Sequence, residues 1–169
     1  MRQVLAEERP SFLQRIKFCY QVCKSVEVLL QNDVHELSLQ SETILVDERS
    51  KFCKLSELGP NLGTLADEDP SERKAALKRD LVLFMFEALS SKVPDLAIQD
   101  IIIELKKYVF TSSDSRTKRI EAQLVGTLNE LWNNVSNELF NIEQISLLLQ
   151  DIVRQLENVC AAGRGLARL

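Results

Sequence analysis

At 169 residues the chain suits one domain, 1–169, and a domain of that size buries roughly two thirds of the surface its unfolded form exposes. Its 45% hydrophobic and 27% charged residues argue against disorder and against a membrane protein, and its five glycines and four prolines are few for a turn-rich all-β fold or a phosphate-cradling α/β fold. A net charge of −4 supplies no general pull toward nucleic acid, whose binding rests on phosphate neutralisation.

From Met1 to Leu13 there is no apolar core of signal-peptide length, and no later run approaches the ~20 apolar residues of a membrane span. The expectation is an intracellular protein, cytoplasmic or nuclear. Four cysteines, with Cys19 and Cys23 inside an apolar helical pattern, read as buried thiols of a reducing compartment. Pro10 and Ser11 open the first strong helix, since proline is tolerated in a first turn where its missing donor costs nothing. Leu13, Ile16, Tyr20, Cys23 and Leu30 repeat at helical spacing up to Asn32-Asp33, and Phe12, Cys19, Val22, Val26 and Leu29 make a second line. So wide a stripe predicts a helix covered on two sides.

The segment from His35 to Leu58 supports two readings. Thr43-Ile44-Leu45-Val46 is short and β-branched, as a small hairpin requires. A helix from about Ser41 to Leu58, with Leu45, Phe52, Leu55 and Leu58 on one face and Gly59-Pro60 as its end, fits as well and is the expectation taken forward. Gly59 to Asp69 holds two glycines and an acidic cluster and reads as the main loop.

Asp69-Pro70-Ser71-Glu72 then has the makings of a helix start: an aspartate to accept from orphan backbone donors, a proline for the first turn and a glutamate at the third position. The helix it opens runs to about Ser91, with Leu77, Leu81, Phe84, Ala88 and Leu89 inward. Leu81 to Phe86 is apolar throughout and cannot face one side of a helix, so burial on more than one flank is expected there, at the centre of the core. Pro94 interrupts, and Ile98, Ile101, Ile102, Leu105 and Val109 define the next helix. This helix, proline, helix order from Leu77 to Val109 resembles one unit of a HEAT or armadillo array, which would imply a solenoid of helical hairpins. No period of repeat length recurs along the chain, so the solenoid stands as the alternative.

From Ile120 to Val159 apolar residues recur at alternating steps of three and four, Leu124, Leu128, Leu131, Val135, Ile142, Ile145, Leu149, Ile152, Leu156 and Val159, with Glu138 alone a polar residue on a seam position. A 3.5-residue period is what a helix needs to lie along another helix. Asn133, Asn134, Asn137 and Asn141 are poor helix formers, and Asn141-Ile142-Glu143-Gln144 has the form of a helix cap, yet the seam keeps its register through them. We therefore expect one long coiled-coil-like helix over 114–162, about 70 Å end to end and possible to bend near Asn134 to Asn141.

The fold class expected is thus all-α, a bundle of five or six helices with the shorter ones at 10–110. Catalytic apparatus is not apparent. His35 is the single histidine, and no local signature joins it to Cys19, Cys23, Cys53 or Cys160 as a nucleophile pair or a familiar zinc site. Phosphate loops of the GxGxxG or GxxxxGK[ST] kind are missing. Arg73, Lys74, Lys78 and Arg79, and likewise Arg116, Lys118 and Arg119, read as solvated helix faces, and Trp132 as a core residue. We expect no enzyme, no cofactor, no metal and no small-molecule substrate. The function expected is a helical interaction subunit that meets a second copy or another helical chain, with a piece of a helical-repeat or tethering protein as the alternative and an enzyme or nucleic-acid binder behind it. The subunit's surface would be the C-terminal half of the seam: Ile142, Ile145, Leu148, Leu149, Ile152, Val153, Leu156 and Val159.

Overall fold

Ser11 starts the helix around which the molecule is arranged. In the computed structural model, which describes residues 1–32, 34, 39–47, 49–56, 69–92, 115–133 and 141–166, a short helix α1 (Arg2–Glu7) precedes it. The Ser11 hydroxyl accepts the Gln14 N–H at 3.3 Å and α2 (Phe12–Gln31) follows, closing on Asn32 as the sequence leads one to expect. Ile16, Phe18, Cys19, Val22, Cys23 and Val26 are all buried, because α2 packs against two later helices and a hairpin at once.

The helix expected over Ser41 to Leu58 is instead that hairpin. Strand β1 (Ile44–Val46) pairs antiparallel with β2 (Cys53–Leu55), Leu45 lying opposite Lys54. Two local causes outweigh the helical pattern. Asp47 Oδ1 accepts the N–H groups of Arg49 and Ser50, both at 2.9 Å, which builds a turn where a helix would need those donors, and Lys51 takes a left-handed φ of 54° to close it. Strand alternation then buries Ile44 and Cys53 and turns Leu45 and Phe52 outward.

Asp69 caps α3 (Pro70–Ser90) as its sequence implies, accepting the Ser71 N–H at 3.0 Å with Pro70 in the first turn. Leu77, Leu81, Phe84, Ala88 and Leu89 are buried, and so are Val82, Met85 and Phe86, so the apolar run is indeed covered on several flanks. Glu87 is buried among them and is satisfied by Arg2 Nε at 3.0 Å and the Ser41 hydroxyl at 2.8 Å, which ties α1 and the segment before β1 to α3.

The single helix expected over 114–162 is two helices, α4 (Ser115–Asn133) and α5 (Ile142–Leu166), packed against each other. Residues nine or more apart on a straight helix are too distant to touch, so the chain has turned back between them. Asn141 marks the new start, its Oδ1 accepting the Glu143 N–H at 2.9 Å. Helix α5 lies along α2 in the opposite direction: Lys17 pairs with Glu157 at 2.6 Å near one end, and Cys23 meets Ile142 and Ser146 near the other. Most of the described residues are helical, in five helices with one two-stranded sheet. The loop expected at Gly59 to Asp69 (save Asp69), Pro94, the helix through Ile98 to Val109 and His35 lie outside the described residues, as does the Trp132 side chain. So does the second half of the stretch resembling a HEAT unit.

Candidate docking surface

Helix α5 carries the residues that sequence reasoning assigned to a partner, and the fold uses most of them itself. Ile145, Leu149, Ile152 and Leu156 are buried in the core shared with α2 and α4. Ile142, Leu148 and Val153 are half-buried and packed against that core, and Val159 is half-buried. The surface expected over Ile142 to Val159 is thus largely taken up by the chain's own helices. With the segment folded into two helices, α5 packs on both α2 and α4.

The α2–α5 contact also holds polar groups. Lys24 Nζ binds Glu27 Oε1 at 2.6 Å, and Glu27, though buried, faces the Ser146 hydroxyl, which itself lies 3.8 Å from Cys23 Sγ. Burial pushes the Glu27 carboxyl up, but the Lys24 ammonium bonded to Oε1 and the nearby Ser146 hydroxyl outweigh it and leave the group below its ordinary value. The Lys24 ammonium is correspondingly raised by its bond to Glu27. Burial drives the Cys19, Cys23 and Cys53 thiols upward, the last two to about 12, so all three remain protonated and unreactive near neutral pH. Cys160 is exposed. Among the described residues no three histidine, cysteine or acidic side chains gather as a metal ion requires, and no helix is long and apolar enough to cross a membrane.

What the fold leaves uncovered lies elsewhere. Among the described residues, the large apolar side chains most open to solvent are Val28 at 48%, Leu45 at 55%, Phe52 at 56% and Leu147 at 58%. Val28 and Phe52 face one groove of about 600 Å³ between α2 and β2. Gln21, Lys24, Ser25, Val28 and Leu29 form its helical wall, two turns long, while Phe52, Cys53 and Leu55 form the other. The walls are held together by the Gln21 Oε1, which accepts the Cys53 N–H at 2.8 Å. Leu45 lies outward on the neighbouring strand. Sequence reasoning placed Phe52 on an inward helix face and missed the groove. One signal was available: Val28 is an apolar residue that falls on neither apolar line of α2.

Comparison with protein-family models, with curated proteins and with solved structures finds no match to this chain. Its class is therefore defined by its own geometry, a mostly helical chain with a small hairpin laid on its central helix and an apolar groove where the two meet.

Proposed function

We propose that this chain is a non-enzymatic interaction subunit that assembles with another protein chain, through the groove between α2 and the hairpin. The observation that carries this reading is the pairing of Val28 and Phe52, each about half exposed, across one concave apolar surface. A concave, mostly apolar cleft of about 600 Å³ is the usual form of a binding site. The interface lies on α2 and β2, in place of the α5 seam that the sequence pattern favours. Three buried free cysteines suit a reducing, intracellular setting for such a subunit.

The test is site-specific crosslinking in the cells that make the protein, with a photoreactive phenylalanine at position 28 or 52 and a control at the exposed Ala122 of α4. A discrete crosslinked species from positions 28 and 52, absent at 122, is the expected result. Equal labelling at all three positions, or none at 28 and 52, overturns the reading. Light scattering on the purified chain then tells a second copy from a different partner.

A further inference from the structure

We infer that the groove takes an uncharged, apolar peptide segment of about four extended residues, anchored by one of its main-chain carbonyls to the Gln21 side-chain amide. This rests on the docking reading above and goes further in naming the chemistry of the occupant. Three observations point to it.

The first is charge. Among the described residues Lys24 is the one charged side chain lining the groove, and its ammonium is already engaged by Glu27 at 2.6 Å with Glu143 nearby. An incoming carboxylate would compete with Glu27 for it, and an incoming cation would meet it head on. The electrostatic complement of such a mouth is a neutral segment. The second is the amide of Gln21. Its Oε1 occupies the place of a neighbouring strand's carbonyl at the outer edge of β2, accepting the Cys53 N–H at 2.8 Å. An amide that accepts at oxygen is polarised into a better donor at nitrogen, so the Nε2 group of this groove-lining residue is the donor that a peptide carbonyl would satisfy. The third is length. From Gln21 to Leu29 the helical wall rises about 12 Å, the span of about four extended residues. Val28, Leu29, Phe52 and Leu55 then supply apolar contact on both sides.

The experiment uses the full chain and three fluorescein-labelled octapeptide amides. The neutral probe is Ser-Gly-Leu-Val-Leu-Phe-Gly-Ser, and its twins carry aspartate or lysine in place of the valine. Fluorescence anisotropy is expected to show saturable binding of the neutral peptide and binding of both twins weaker by about tenfold or more. Gln21→Glu retains an acceptor for the Cys53 N–H but removes the outgoing donor, and it is expected to weaken the neutral peptide by about tenfold. Val28→Asp, at an exposed position, should do the same with an unchanged melting temperature. The Gln21 side-chain amide protons should move on titration in a nitrogen-15 correlation spectrum. Twins that bind as tightly as the neutral peptide, or a Gln21→Glu variant that binds normally, overturn this inference and leave the docking reading standing. Failure of all three peptides on the wild-type chain also overturns it, while crosslinking from positions 28 and 52 decides the docking reading separately.

Discussion

Glu27 and Glu87 are buried carboxylates on helices whose other inward residues are mostly apolar, and each is tolerated for a reason visible in its partners. Glu87 receives Arg2 and Ser41; Glu27 receives Lys24 at Oε1, while its Oε2 is buried without a hydrogen-bond partner among the described residues. A charge taken out of water persists only where such bonds replace its hydration. For Glu27 this has a pH signature. Its folded-state value lies below the ordinary 4.5, so the carboxylate stabilises the fold fully above that pH, and the contribution is lost as pH falls through the folded value. Glu27→Gln is expected to be less stable than wild type at neutral pH, with the gap closing in acid as the wild-type carboxyl protonates. Melting temperatures of both proteins between about pH 3 and pH 7 check it; a gap that is constant across the range, or widens in acid, refutes the assignment. The sequence shows these two residues only as glutamates within helical patterns. Their partners sit on other elements, so nothing local to Glu27 or Glu87 reveals that they are buried.

At the scale of elements, what the sequence made legible depended on whether the deciding interactions are local. The start of α3 is written in four adjacent residues, Asp69 to Glu72, and the helix begins there. The hairpin is written locally too, in the Asp47 turn and the β-branched run before it, but Leu45, Phe52 and Leu55 also satisfy a helical pattern, so apolar spacing alone does not separate the two. The α4–α5 break fails differently. Apolar periodicity reports which face of a helix is buried and carries no information on whether the chain has reversed, so an unbroken register concealed two helices, while the cap at Asn141 was the reliable sign. Burial of the seam changes what its mutation does. Leu149→Glu with Leu156→Glu places two charges in the core, where each costs several kcal/mol, and the double variant is expected to unfold instead of merely losing a partner. A native circular dichroism spectrum and a cooperative melt from that variant would contradict the packing described. In α3, Phe84→Ala is expected to cost ~3–5 kcal/mol in urea unfolding, the range for a buried aromatic replaced by a cavity. A cost under about 1 kcal/mol would mean that Leu81 to Phe86 is not the centre of the core.

For the whole molecule the question is whether the hairpin belongs to the same cooperative unit as the helices. Helix α2 packs on α3, on α5 and on β2, and Ile44 joins the same buried cluster as Ile16 and Leu81, which argues for one unit. The hairpin is nonetheless small, with three residues in each strand, and a pair of strands that short is not stable alone. The four cysteines happen to be placed to decide the matter. Cys160 is exposed, Cys19 and Cys23 lie within α2, and Cys53 lies on β2 in the wall of the groove. With a thiol reagent in excess under native conditions, one thiol per chain, Cys160, should react at once. The other three should react slowly, because burial both hides them and holds them protonated. If hairpin and helices open together, Cys53 reacts at the rate of Cys19 and Cys23, and sub-denaturing urea accelerates all three with one slope. Mass spectrometry of the labelled peptides resolves the sites. A Cys53 that labels faster than the α2 pair and is insensitive to urea would show that the hairpin lifts from α2 by itself. The groove would then be a transient surface, opened and closed by that motion, and an occupant that binds α2 and β2 together would slow the labelling of Cys53 alone.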